Sequence, residues 1–337
     1  MSALTIVMYH YVRDLAGSRY PEIKGRTIEE FESQLDWLTR NYVICSTRDV
    51  VAAVRGERAL PPNACLLTFD DGLLDHFTVV FPRLARRNLT ASFYPPVAAA
   101  AQRTVLDTHK IHFILAVAPD HAALARRVRG LIDAHRAEGE VPSGATLWEQ
   151  WARPSRFDTA DVTFIKRVLQ RGLPEPVRRA ITAELFDEIV GVNERDFARE
   201  LYMDVAQLRA LVAHGMDVGG HGAAHVWLDS LSPAGQTLEV AATAAFLESV
   251  YGRPPADWVM CYPFGAYTAE TLALLPAAGC ALGLTTRVGV AADLSEPLVL
   301  PRLDTNDIPF RGDPATAGRG APAGGGVPLG AAHPTRG

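Results

Sequence analysis

No apolar run in this chain is long enough to cross a bilayer as a helix, so no transmembrane span is expected. Cysteine is scarce. Cys45, Cys65, Cys261 and Cys280 are widely spaced and form no Cys-x-x-Cys pair, which excludes a disulfide framework and reads as free thiols in a reducing cytoplasm. The opening segment MSALTIVMYHYVRD has no basic n-region and no small-residue cleavage site, so it reads as a strand of the fold and not as a signal peptide. Charge of one sign is not in excess either. A net charge of -5 gives no reason to expect nucleic acid or an acidic membrane surface as a partner. No internal repeat is visible. What remains is ordinary for a globular protein, with 48% apolar and 21% charged residues. A length of 337 residues suits one large α/β domain, or one domain with an insertion.

Strand and helix signals alternate. Apolar runs predict strands at 4–9, 42–45, 64–69 and 91–94, then at 217–220, 258–262, 281–285 and 298–303. Thr27 with Glu30 forms a capping box before the apolar stripe Ile28, Phe31, Leu35 and Leu38. Ser232-Pro233 caps a helix running to about Tyr251. This rhythm predicts an α/β fold with a mostly parallel sheet, open or closed into a barrel. The candidate chemistry falls where strands end, the face at which barrel enzymes place their sites. The stretch 103–200 differs, being rich in Ala, Arg, Glu and Leu at helical spacing, and reads as a helical insertion or lid. The catalytic part is then 1–102 with 201–310. The tail 311–337, dominated by Gly, Pro, Ala and Arg, cannot bury enough surface to order itself.

Two blocks carry the chemistry. Leu66-Leu67-Thr68-Phe69-Asp70-Asp71-Gly72 closes an apolar strand on two carboxylates, and Gly219-Gly220-His221-Gly222-Ala223-Ala224-His225 offers two imidazoles. Together they suit a metal-assisted hydrolase, with Asp71, His221 and His225 binding zinc or a similar cation and positions left open for water and substrate. Adjacent residues of an extended segment point to opposite sides. Asp70 and Asp71 can therefore divide the work only if the chain turns, which Gly72 permits. Asp70 is then the general base.

These residues resemble the NodB-homology polysaccharide deacetylases, carbohydrate esterase family four. Tyr262-Pro263-Phe264-Gly265 resembles that family's Pro-aromatic-Gly groove motif. The likeness covers roughly 4–100 and 205–310. It implies a distorted (β/α) barrel, a metal held by Asp71, His221 and His225, and hydrolysis of an N-acyl group, usually acetyl, from an amino sugar. It also implies that the 262–264 segment lines the acyl pocket and offers a backbone N–H to the oxyanion.

The chain departs from the common pattern twice. Where members often carry an Arg two residues before the Pro of the third block, Cys261 stands. The usual late Leu-x-x-His is missing, and the only histidine after His225 is His333. A circularly permuted branch of the family carries that motif at the N-terminus in a segment resembling Met-Tyr-His, and here Val7-Met8-Tyr9-His10 ends the first strand. His10 is thus the expected general acid, and Arg302 the expected partner keeping Asp70 ionised. His109, in the cluster Asp107 to His112, reads as a lid contact to substrate or a solvated helix start. Trp227 reads as an apolar wall by the metal or as packing. His76 and His214 look like surface or helix-end residues. The expected activity is cytoplasmic, metal-dependent N-deacetylation of an amino-sugar derivative that is small, lipid-linked or borne on a metabolite. Zinc is the expected metal, with cobalt, nickel or manganese as alternatives. The alternative chemistry is deformylation or cyclic-amide hydrolysis on the same fold.

Overall fold

Eight strands, all joined by parallel ladders, make one sheet: β1 (Leu4–Tyr9), β2 (Val43–Ile44), β3 (Ala64–Asp70), β4 (Ser92–Tyr94), β5 (Asp217–Val218), β6 (Trp258–Cys261), β7 (Cys280–Val288) and β8 (Leu300–Asp304). A computed structural model provides the structure and describes residues 3–135, 141–155 and 157–312. The strand order is β5-β4-β3-β1-β8-β7-β6, with β2 pairing β3 off this path. The two ends of that order meet. Gly220, just beyond β5, bridges Met260 of β6, its N–H donating to Val259 O at 2.8 Å and its C=O accepting from Cys261 N–H at 2.8 Å. The sheet is therefore a nearly closed barrel. Glycine is required at the seam, because a Cβ at Gly219 would lie 2.6 Å from Val259 O and one at Gly220 would collide with the Thr243 methyl.

Strand side chains alternate between two cores. Leu4, Ile6, Leu66, Val259, Cys261, Leu282, Leu284 and Leu300 fill the barrel interior. Val7, Tyr9, Leu67, Phe69, Phe93 and Met260 face outward against helices. Among those helices, α1 (Ile28–Asn41) starts at the Thr27–Glu30 capping box and buries Phe31, Leu35 and Leu38. The others of this unit are α2 (Thr47–Val54), α3 (Phe81–Arg86) and the short α4 (Val97–Ala100), then, after the second unit's helices, α11 (Val205–Ala213), α12 (Pro233–Tyr251) and α13 (Ala269–Leu274). The same alternation carries Thr68 and Asp70, Arg302, and His10 onto the interior side of the barrel's C-terminal end.

The barrel unit contains Met1–Arg13, Arg26–Gln102 and the chain from Leu201 onward, while the second unit contains Asp14–Gly25 and Arg103–Glu200. Residues 14–25, expected in the barrel, belong to the second unit for a visible reason. Tyr20 packs edge-on against Phe113 (4.8 Å) and Phe197 (5.7 Å), and Lys24 pairs with Asp158 at 2.7 Å. The second unit is helical: α5 (Asp107–Val117), α6 (His121–His135), α7 (Gly144–Trp151), α8 (Ala160–Arg167), α9 (Glu175–Leu185) and α10 (Glu194–Leu201), the last residue of which counts with the barrel. The tail from 313, with His333, lies outside the described residues. No helix among the described residues is long and apolar enough to cross a membrane.

Candidate active site

Asp70 ends β3 inside the barrel, 1% exposed. Arg302 of β8, also 1% exposed, meets it in a fork: Nη1 donates to Oδ1 at 2.8 Å and Nη2 to Oδ2 at 2.7 Å. The remaining guanidinium donors are also used, Nε on Thr285 O at 3.0 Å and Nη1 on Thr68 Oγ1 at 3.2 Å. Burial alone would raise the Asp70 carboxyl, but the Arg302 charge, helped by His221 and His10, outweighs it and holds Asp70 at about 2. Cys261 completes the group, its thiol donating to Asp70 Oδ2 at 3.3 Å and accepting from Arg302 Nη2 at 3.2 Å. Burial pushes the Cys261 thiol up, so it stays protonated and suits the donor role.

The turn after β3 begins one residue earlier than Gly72. Asp71 itself is left-handed (φ 73°), and Gly72 follows at φ 65°, where a Cβ would strike Pro95. That reversal separates the two neighbouring carboxylates. Asp71 Oδ1 lies 3.4 Å from His221 Nε2 and 3.4 Å from His225 Nε2. His221 Nδ1 is 2.7 Å from Cys261 O. A carbonyl only accepts, so Nδ1 carries a proton and Nε2 is the ring nitrogen that faces the cluster, where it would bind a cation once deprotonated. Tetrahedral zinc with bonds of ~2.0–2.2 Å to N and O separates its ligand atoms by about 3.3–3.5 Å, so the three donors fit such a cation in number, chemistry and spacing. Asp70, His221 and Cys261 also offer ligand atoms within 4.8 Å of one another, but Arg302 already occupies Asp70.

The loop between the two histidines is held from both sides. Glu239 of α12 accepts from Ala223 N–H at 2.7 Å and Ala224 N–H at 3.2 Å. At the start of α4, Val97 and Ala98 N–H groups donate to Gly222 O (3.3 Å) and Ala223 O (2.8 Å). These bonds hold the left-handed Gly222 (φ 71°) and His225 (φ 53°) in a turn that converges both rings. Sequence reading missed Glu239. The signal was there, as the lone acid within the apolar stretch Leu238 to Leu247 of α12.

His10 follows β1, its side chain 39% exposed, with Nε2 4.0 Å from Oδ2 of both Asp70 and Asp71. His76, expected at the surface, is fully buried, with Nε2 2.9 Å from His10 O. Its place in the apolar run Leu73 to Phe81 was the overlooked hint. His214 is an exposed helix-end residue, capping α11.

The third block divides by strand alternation. Cys261 points into the barrel, so Tyr262 points out, where it is fully buried in the outer core and its hydroxyl donates to Leu298 O at 2.8 Å. The Tyr262 side chain therefore does not line the site. Its N–H is spent on Leu284 O (3.0 Å), Gly265 N–H on Tyr262 O (2.8 Å), and Pro263 has none. Among the described residues, Phe264 N–H is left without a backbone acceptor. Phe264 is left-handed (φ 58°, ψ 8°), and Gly265 (φ 74°) brings its backbone against Thr286 N. The Phe264 ring stacks on Trp227 (4.5 Å, 3°) and lies 4.7 Å from the His225 ring, so both aromatics wall the imidazole side of the cluster. His109, on α5 of the second unit, is fully buried beside His112 and is not part of the cluster.

A sequence model of the polysaccharide deacetylase family matches residues 190–283. A Bacillus subtilis (strain 168) protein, YxkH, which bears the polysaccharide deacetylase name, is 28% identical over 86 residues, 26% of this chain and 30% of its own length. The match thus spans less than a third of that relative. Among solved structures, the Streptococcus pyogenes deacetylase PplD in complex with acetate superposes with a TM-score of 0.52 at 17% identity, over 90% of this chain and 92% of its own. A de-N-acetylase from Aggregatibacter actinomycetemcomitans gives 0.51 at 15% identity, over 90% and 95%. At such identities the likeness speaks for the fold. The matched segment is similar to the polysaccharide deacetylase family, and the parallel barrel is similar in fold to the NodB-type deacetylase structures.

Proposed function

We propose that this protein is a metal-dependent hydrolase that removes the N-acetyl group from an amino-sugar derivative. The observation that carries the reading is the meeting, at one end of the barrel strands, of an Asp71–His221–His225 donor set with a separately braced carboxylate, Asp70, and a half-exposed imidazole, His10. A divalent cation held by Asp71, His221 and His225, zinc first and cobalt, nickel or manganese as alternatives, would polarise the amide carbonyl and make water more acidic.

The chain's own groups do the rest. Asp70, kept ionised by Arg302, accepts the proton of the attacking water. As the carbonyl carbon becomes tetrahedral, Phe264 N–H donates to its oxygen. His10 gives a proton to the nitrogen as the C–N bond breaks, releasing acetate and the free amine. The stacked Trp227 and Phe264 offer an apolar wall to the acyl methyl or a sugar face. Four buried free thiols support a reducing compartment, the cytoplasm, and with it a small, lipid-linked or metabolite-borne glycan as substrate.

The test is metal content and acetate release on a panel of N-acetylated amino sugars, for wild type beside Asp70→Asn and His10→Ala. The expectation is stoichiometric metal in all three, with turnover reduced by about 10²–10⁴ in both variants. Failure to hold any metal after reconstitution would refute the reading. Release of formate alone, from N-formyl substrates, would move it to deformylation.

A further inference from the structure

We propose that His76 is a positioning residue that sets the aim of His10 by anchoring its backbone. The proposal deepens the reading of His10 as proton donor and rests on it. His76 lies on the π-helical turn His76–Val80 that follows the Asp70-Asp71-Gly72 block. Its ring is fully buried between Phe69 (5.4 Å) and Phe93 (5.9 Å). Nε2 reaches His10 O at 2.9 Å, and Nδ1 has no partner.

Those facts fix the tautomer. A carbonyl accepts, so Nε2 carries the hydrogen and Nδ1 is a bare lone pair in an apolar slot. Burial keeps the ring neutral, with its pKa lowered to about 4. As a packing element, histidine is a poor choice here: a phenyl ring would fill the space between two other phenyl rings without an orphaned nitrogen. What histidine adds is one N–H, and that N–H ends on His10.

The next residue pair strengthens the link. Arg13 and Asp75 join at 2.6 Å, tying the segment after β1 to the turn after β3 a second time. The ring of His10 is itself 39% exposed and touches the two carboxylates only at 4.0 Å, so its own contacts do not lock it. Its direction is therefore inherited from the backbone that His76 holds. A donor that must meet a departing nitrogen is sensitive to shifts of about 1 Å, worth on the order of 10²-fold in rate.

The test uses full-length, zinc-loaded protein with His76→Phe and His76→Gln. Phenylalanine keeps the packing and deletes the donor. Glutamine restores an N–H at a matching reach. His76→Phe should lower kcat by about 10- to 100-fold, with KM changed by less than about twofold, and with metal stoichiometry and melting temperature retained. His76→Gln should recover kcat to within about threefold of wild type. Wild-type kcat in His76→Phe, or equal losses in both variants, would overturn the proposal, the second because packing alone would then explain the loss. A ring-nitrogen NMR readout stands apart from activity. His10 should give one sharp set of signals in wild type and a broadened or split set in His76→Phe. Unchanged His10 signals would overturn the proposal even if no substrate turned over, whereas an inactive wild type with the expected spectral change would count against the deacetylase reading alone.

Discussion

Replacing Arg302 with methionine should expose how much of the site depends on one buried ion pair. The guanidinium makes the fork to Asp70 and further bonds to Thr285 O, Thr68 Oγ1 and Cys261 Sγ, all out of water. Removing one partner of a buried pair leaves the other charge stranded, at a typical cost of about 3–5 kcal/mol. Asp70 also supplies a pH signature. In wild type its folded pKa, about 2, lies below the unfolded value of about 3.9. Its contribution, about 2.6 kcal/mol, is then fully present above the unfolded pKa and is lost as pH falls through the folded one. In Arg302→Met burial loses its main opponent and lifts the folded pKa above the unfolded value, so the sign reverses and stability falls as pH rises through the lifted pKa. The gap between wild type and variant should therefore widen from pH 4 toward neutrality. Native-state hydrogen exchange of β3 and β8 amides across that range reads it on the barrel alone. A gap that does not change with pH, or a variant as stable as wild type at neutral pH, would refute the reasoning. Arg302→Lys should fall between, since an ammonium cannot fork onto both carboxylate oxygens and reach the other acceptors at once.

Glu239→Ala should weaken zinc affinity by about 10- to 100-fold in a competition titration, because the loop carrying His221 and His225 loses the carboxylate that gathers two of its amides. Gly220→Ala should destabilise the barrel by about 1–3 kcal/mol in denaturant, through collision with the Thr243 methyl. The double change with Thr243→Ser, which deletes that methyl and keeps the hydroxyl bonded to Glu239 O, should recover much of the loss. Cys261→Ser should preserve the donor to Asp70, whereas Cys261→Ala should cost about 1 kcal/mol in stability by melting and leave acetate release largely intact.

The strands were legible because each is a short apolar run ended by polar or glycine residues, and all eight predicted strands are present. Their closure into a barrel was legible only through the family resemblance that implied it, since it depends on one bridge at Gly220 that no local pattern announces. Asp70, Asp71, His221 and His225 could be picked out because they sit at strand ends in short motifs, and the structure brings them together. Tyr262 was misread because a motif names residues without naming faces. Once Cys261 points inward, alternation sends Tyr262 to the outer core. Glu239 and His76 were missed because each acts on backbone groups of a distant segment, a relation that leaves almost no mark in sequence. Residues 14–25 were assigned to the wrong unit because the ring contacts of Tyr20 lie with helices far down the chain.

The place of β1 in the sheet has a consequence for synthesis. The first strand is not an edge: it lies between β3 and β8, with Val7 paired to Leu303 and Met8 to Asp304. Its partner on one side is available early, but on the other side it waits for the last described strand to leave the ribosome. His10 and Arg302 thus reach Asp70 from opposite ends of the barrel unit's sequence. A nascent chain short of β8 has Asp70 without its counter-charge, beside an open strand flank that invites wrong pairing. Such long-range closure makes folding slow and late. The candidate constellation comes together only once β1, β3 and β8 lie side by side, so a partly made chain lacks Arg302 beside Asp70.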